Sequence, residues 1–217
     1  MKRDMTVNRF RSARGRVLRQ HIETLADRLG RPVEVLDVGG RAEYWDNVGL
    51  GGIGHITLMN VDPAELERTL PDPEMFTSVL GDARDLSEHV DGAFDLVHAN
   101  SVIEHVGHWN DMAAMAREVM RVGRAGWIQT PAYEFPVEPH FRTLFMHWFG
   151  GPTQRAMFSL SFEKRLRKLP FDKRRQALDG VNLLSHREVR RLFPGRDIHV
   201  ERLALLPKSY SVNWLPD

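Results

Sequence analysis

Cysteine is missing from all 217 residues. Its absence excludes disulfides, thiolate zinc sites and cysteine nucleophiles, and it fits a reducing cytoplasm. Long apolar runs are missing too: none approaches the ~20 residues that a membrane-spanning helix needs. Met1-Lys2-Arg3-Asp4 has no apolar stretch behind it of the kind a signal peptide carries. Nor does charge of one sign dominate, because 30 Lys and Arg stand against 29 Asp and Glu for a net charge of +1. No global field therefore argues for nucleic acid as a partner. The charge is uneven, however. Residues 1–31 carry nine Lys/Arg against three Asp/Glu, and residues 163–175 carry seven against two. Such stretches read as solvated faces, or as contacts to an anionic surface or substrate. The expected location is cytoplasmic.

What is present is an ordinary globular composition, 42% hydrophobic and 27% charged, in a length that suits one domain with a small appendage. Phe10, Ala13, Val17, Leu18, His21, Ile22, Leu25 and Leu29 follow helical spacing until Gly30 and Pro32 end the run. Residues 1–31 are thus expected to form a basic amphipathic helix that caps the remainder, 32–217, as a lid. Val33–Val38 is a short, mainly apolar run of the kind found in a strand buried on both faces. Ile56–Val61, Phe76–Leu80, Phe94–His98 and Trp127–Thr130 repeat the pattern, with a helix over Asp111–Val122. Strands alternating with helices predict an α/β fold with a mostly parallel sheet and helices on both faces.

From Ala132 to about Gly180 the alternation stops. Phe135, Phe141, Phe145, Trp148, Phe149, Phe158 and Phe162 crowd this segment, with prolines at 136, 139, 152 and 170. It is expected to be an aromatic-rich insertion after the fifth strand that covers the substrate. Ser185-His186-Arg187-Glu188 has the form of a capping box. Strands near Ile198–Leu206 and Ser209–Trp214, turning at Pro207-Lys208, are expected to close the sheet as an antiparallel hairpin.

Three motifs carry the chemistry. The first is Val33-Glu34-Val35-Leu36-Asp37-Val38-Gly39-Gly40, a strand running into a glycine turn. The second is Val79-Leu80-Gly81-Asp82-Ala83. The third is Phe94-Asp95-Leu96-Val97-His98-Ala99-Asn100-Ser101-Val102-Ile103-Glu104-His105-Val106, a strand that ends in polar residues. In their order and spacing these segments resemble class I S-adenosylmethionine-dependent methyltransferases. The resemblance implies a Rossmann-like seven-stranded sheet and S-adenosylmethionine as cofactor, bound outside the carboxyl ends of the strands. It places Asp37, Gly39 and Gly40 near the methionine part, although Arg41 and Glu43 stand where the family has further glycines. Asn60 falls at the ribose-binding acidic position, with Asp62 two residues on. Asp82 and Ala83 fall at the adenine, and Asn100 and Ser101 at the cofactor's amino-acid end. Asp62 as a turn residue and Asp82 as a helix cap are the bland alternatives.

For the acceptor, Gln129-Thr130-Pro131-Ala132-Tyr133-Glu134-Phe135-Pro136-Val137-Glu138-Pro139-His140 follows the fifth strand. This stretch resembles a subgroup of bacterial methyltransferases that act on small molecules or surface glycans. His140, Tyr133 and Glu138 are the groups expected to orient or deprotonate an acceptor, with His105 as a second base. The alternative is a proline-stiffened lid whose polar tips face water. The His105–His108 spacing beside Glu104 invites a metal, but without a further ligand cluster a structural histidine is the expectation and no metal site is predicted. Gly49-Leu50-Gly51-Gly52-Ile53-Gly54 matches a dinucleotide spacing but precedes a strand rather than following one, so it reads as a loop entering the second strand. The expected activity is methylation of a hydroxyl or carboxylate of a small molecule, sugar or glycolipid. A degenerate methyltransferase-fold binding protein and an NAD-linked oxidoreductase are the alternatives.

Overall fold

The computed structural model describes residues 9–216. Residues 1–8 and Asp217 lie outside the described residues, as do the side chains of Arg9 and Phe10. The start of the predicted 1–31 segment, and Phe10 of its apolar face, therefore fall outside them. The strands in chain order are β1 (Val33–Val38), β2 (Ile53–Asn60), β3 (Phe76–Leu80), β4 (Phe94–Asn100), β5 (Gly123–Pro131), β6 (Val137–Glu138), β7 (Thr143–Leu144), β8 (Asp197–Leu203) and β9 (Leu206–Trp214). Seven of them form one sheet in the order β3-β2-β1-β4-β5-β9-β8, and β6 and β7 form a separate two-stranded ladder. Neighbours among β3, β2, β1 and β4 pair parallel, and β8 pairs antiparallel with β9. This is the predicted Rossmann-like architecture.

The helices are α1 (Arg9–Leu29), α2 (Ala42–Trp45), α3 (Trp109–Val122), α4 (Gly151–Ala156), α5 (Lys164–Arg167), α6 (Phe171–Asp179) and α7 (His186–Leu192). Two crossovers depart from the expected alternation. Between β2 and β3 the chain makes only a 3-10 turn, Pro63–Glu65, capped by Asp62 through the Ala64 N–H. Pro71 and Pro73 follow, and each denies a helix its backbone donor. Between β3 and β4 there are turns, with Asp82 and Asp85 joined as an isolated bridge. Asp82 therefore caps no helix.

The closing hairpin also turns elsewhere than expected. Ala204 adopts φ 54° between β8 and β9, and Pro207 lies inside β9 opposite Arg202. The register slips between Glu201 and Arg202, leaving Lys208 as the extra residue. A bulge there accommodates a proline that has no ladder N–H to give. The capping box at α7 is present in both directions between Ser185 and Glu188.

The chain divides into two compact units. The first runs to Asn100 and includes Glu118–Trp127 and the residues from Trp214; the second is Ser101–Arg117 with Ile128–Asn213. In the first, Leu18, Ile22 and Leu25 of α1 are buried with Val33, Val35, Trp45, Val48, Ile56, Leu96 and Trp127. Burying each such side chain is worth roughly 1.5–3 kcal/mol. The apolar face of α1 is thus a core element of this unit, although Val17, expected on it, is exposed. In the second, Phe141, Met146 and Phe158 form a small core joined by Leu166, Leu169, Leu178 and Val181. Segment 132–180 therefore carries packing of its own, while Phe145, Trp148, Phe149 and Phe162 stay exposed.

Candidate functional site

The carboxyl end of β1 is organised by one buried carboxylate. Asp37 is wholly buried; its Oδ2 accepts from Trp45 Nε1 at 2.8 Å and its Oδ1 lies 2.6 Å from His98 Nδ1. The His98 ring is flanked by Tyr44 at 4.8 Å and Trp45 at 5.2 Å between centroids. Burial also lifts the Tyr44 hydroxyl above its ordinary pKa. Both oxygens of Asp37 are thus spent on the protein. Its effect on a ligand is indirect, through the turn that follows.

That turn is Gly39-Gly40. Gly39 has φ 66° and donates to the Met59 carbonyl at 2.7 Å, a conformation that L side chains resist. A Cβ on Gly40 would stand 1.8 Å from Asp37 Oδ2, so no side chain fits without breaking the carboxylate's bonds. Asn60, at the end of β2, donates from Nδ2 to the Gly40 carbonyl at 2.9 Å, bracing the turn from the other side. Arg41 and Glu43, which replace family glycines, are anchored by ion pairs to Glu65 and Arg68 respectively. The turn therefore presents backbone at its edge and fits the methionine part of S-adenosylmethionine.

Asp62 is exposed and caps the 3-10 turn. Asp82 receives Arg84 at both oxygens, with Nη2 2.6 Å from Oδ2, and the guanidinium holds its carboxyl below the usual range. A carboxylate has lone pairs to spare beyond this pairing, so an adenine amino group remains compatible with it. Ala83 is buried and Asn100 is half-buried at the end of β4.

Ser101 begins the second unit in the left-handed region, φ 57°. Its N–H donates to the Gln129 carbonyl at 2.9 Å, and its hydroxyl donates to Gln129 Oε1 at 3.1 Å. The strained turn leads into the 3-10 segment Ile103–His105. Glu104 there is fully buried. Its Oε2 accepts from Thr130 Oγ1 at 3.0 Å, while Oε1 has no hydrogen-bond partner among the described residues. Burial pushes this carboxyl up to about 7, against the opposing pull of its own backbone N–H, His140 and Thr130.

His105 and His140, 35 positions apart, meet with their Nε2 atoms 3.1 Å apart. His105 Nδ1 lies 2.9 Å from the Gly180 carbonyl, and His140 Nδ1 lies 2.7 Å from Glu138 Oε1. Glu138 Oε2 accepts from the Phe141 N–H at 2.5 Å, so Glu138 is itself fixed. His140 Nε2 is 3.8 Å from Glu104 Oε1. Three of the four predicted acceptor-handling residues, His140, His105 and Glu138, thus come together. Tyr133 is linked to them through a shared cavity rather than a hydrogen bond: its carbonyl accepts from His147 Nε2 and Trp148 Nε1, and with Glu138, Trp109, Phe141, Gln154 and Asn182 it lines a cavity of about 400 Å³.

Glu104, considered from sequence only beside the His105–His108 pair and absent from the predicted catalytic set, lies in this group as well. Glu104, His105 and His140 are the group among the described residues that could hold a metal ion, their ligand atoms all within 4.8 Å of one another. His108, the other half of the His-x-x-His spacing, lies outside it.

The family model described as "Methyltransferase domain" matches residues 9–200. No curated protein matches. Among solved structures, the SAH-bound N-terminal domain of EvdMO1 is similar at TM-score 0.56 and 14% identity, over 97% of this chain and 83% of that one. The PH0226 protein of Pyrococcus horikoshii OT3 is similar at 0.54 and 16%, over 92% and 91%. The CurJ carbon methyltransferase is similar at 0.56 and 10%, over 94% and 54%. At these identities the likeness speaks for the fold, whereas the family model covers nearly the whole chain. Joined to the glycine turn, the match shows that the chain belongs to the methyltransferase domain family, as a class I methyltransferase with S-adenosylmethionine as its cofactor.

Proposed function

We propose that the protein transfers a methyl group from S-adenosylmethionine to a hydroxyl or carboxylate oxygen of a small molecule, sugar or glycolipid. The observation that carries this is the convergence of His105, His140, Glu104 and Glu138 on segments that follow the ends of β4 and β5. Ligands of open α/β sheets bind outside the carboxyl ends of the strands. The sulfonium is already a strong electrophile when bound, so the protein's share is alignment, exclusion of water and handling of the acceptor's proton. Gly39, Gly40, Asn60, Asp82, Ala83, Asn100 and Ser101 are assigned to the cofactor, with Asp37 positioning the turn. Asp62, spent on its cap, is the weakest of the notional contacts.

At the acceptor, His140 orients the oxygen and provides for loss of its proton, with Glu138 fixing the ring and His105 beside it. Tyr133 serves the neighbouring cavity, where aromatic rings and the amides of Gln154 and Asn182 suit a polar ring such as a sugar. The basic residues of 163–175, beside exposed Leu160, Phe162 and Phe171, support an acceptor presented at an anionic surface.

Two measurements test this. Calorimetry should show S-adenosylhomocysteine binding and no NAD binding. Label transfer from methyl-labelled S-adenosylmethionine should reach hydroxylated or carboxylated sugars and small molecules, and base-labile label would mark a carboxylate acceptor. Cofactor binding with no transfer to any acceptor class, cell extract included, would favour the degenerate binding protein.

A further inference from the structure

Two imidazoles and a carboxylate point at one spot in the second unit, and each is held from behind. The Gly180 carbonyl takes the Nδ1 side of His105, and Glu138 takes the Nδ1 side of His140. An N–H on each Nδ1 leaves Nε2 of the neutral ring as a lone-pair donor. Glu104 is held at Oε2 by Thr130, which leaves Oε1 aimed into the same spot, fully buried and without a hydrogen-bond partner. A buried carboxyl oxygen without a partner is a costly arrangement, and its charged form is favoured only when something positive meets it.

From this geometry we infer that Glu104 Oε1, His105 Nε2 and His140 Nε2 form a binding site for one divalent cation of the zinc type. The 3.1 Å between the Nε2 atoms fits two imidazoles on one ion, because Zn–N bonds of ~2.0–2.1 Å at tetrahedral to right angles place the nitrogens about 2.9–3.4 Å apart. The 3.8 Å from His140 Nε2 to Glu104 Oε1 needs only about half an ångström of closure on the same geometry. Outer partners that fix each ligand's orientation, a backbone carbonyl on one histidine and a carboxylate on the other, are the arrangement that metal-binding histidines require. The donor set selects among ions. Two imidazoles and one carboxylate suit zinc and neighbouring first-row metals, whereas magnesium and calcium take oxygen ligands.

Three protein ligands leave a coordination position for water or an acceptor oxygen. This consequence rests on the proposed acceptor site; the binding itself does not. With the cation in place His140 would serve as a ligand instead of as the base, and the cation would lower the pKa of the acceptor hydroxyl so that its proton passes to solvent water.

The test is metal titration of the full chain after chelator treatment, with neither cofactor nor acceptor present. Co2+ should bind at one equivalent with visible d–d absorption, Zn2+ should displace it, and millimolar Mg2+ should not. His105→Ala, at an exposed position, and Glu104→Gln should each weaken binding by at least about 100-fold, since loss of a mere outer partner of a ligand already costs about 10–100-fold. His108→Ala should leave it unchanged. Thermal melts on each variant exclude misfolding, and His105→Ala is the variant least exposed to that risk. No stoichiometric Co2+ binding, or equal binding by His105→Ala, would overturn the inference. Loss of binding in His108→Ala would overturn it as well. S-adenosylhomocysteine titrated into the same samples separates the two readings: normal affinity without metal binding removes the metal site alone, whereas absent affinity counts against the methyltransferase reading.

Discussion

Replacing Asp37 with Asn should cost stability before it costs cofactor chemistry. Both carboxylate oxygens accept bonds in a buried setting, one from Trp45 Nε1 at 2.8 Å and one opposite His98 Nδ1 at 2.6 Å. An amide of the same shape offers only one acceptor, so its NH2 must face a ring N–H or push His98 into the tautomer whose N–H sits on Nε2, which is buried without a hydrogen-bond partner among the described residues. The variant loses a charge-assisted bond worth about 1.5–3 kcal/mol and leaves a buried donor unpaired at about 1–3 kcal/mol more. Allowing for overlap between these, the expected loss is about 3–5 kcal/mol. For a chain of this size 1 kcal/mol shifts the midpoint by about 2–4 °C, so the melting temperature should fall by roughly 6–20 °C. Circular dichroism melts measure this directly. Calorimetry with S-adenosylhomocysteine then shows weakened binding, because the Gly39-Gly40 turn rests on the same carboxylate. Asp62→Ala, which removes an exposed cap from a single 3-10 turn, should cost less, about 0.5–2 kcal/mol. A melting temperature within about 2 °C of the parent, with cofactor affinity lost, would refute the reasoning and make Asp37 a direct contact.

Gly39→Val should abolish S-adenosylhomocysteine binding, since φ 66° disfavours a β-branched side chain and its Cβ and two Cγ methyls would crowd the edge assigned to the cofactor; unchanged calorimetric affinity would remove the assignment. His140→Ala should lower methyl-transfer turnover by about 10²–10⁴-fold while leaving S-adenosylhomocysteine affinity nearly unchanged, as read by single-turnover assays beside calorimetry. His21 is half-buried against Trp127, with its pKa lowered mainly by burial and with Nε2 lacking a hydrogen-bond partner among the described residues. Its unfolded form gains a proton below about 6.5 while the folded form resists, so stability present above that pH is lost as pH falls through it. His21→Leu should flatten that part of the urea stability profile, and an unchanged slope would show that other groups cause it.

The parallel strands were legible because strands buried on both faces are rich in apolar residues, as Val33–Val38 and Phe94–His98 are apart from Glu34, Asp37, Asp95 and His98. The capping box was legible because its two hydrogen bonds span only four residues. The glycine turn, too, could be read locally, from the chain's need for backbone at the end of β1. Features decided by packing were not. Nothing local marks Ala204 as the left-handed residue of the closing hairpin, and Pro207 looks like a turn until its place opposite a bulge is seen. The same limit governs the candidate site. Spacing paired His105 with His108, but Gly107, at φ 131° and tight against Asp111, redirects the chain between them. The partner of His105 is instead His140, brought in with Glu138 by the short β6–β7 ladder. Glu104 joins them only because the turn after β4 buries its carboxylate beside Thr130. Sequence determines which groups have the chemistry to hold an acceptor or an ion. Only the tertiary structure decides which of them share a point in space, because that depends on long-range packing rather than on spacing along the chain.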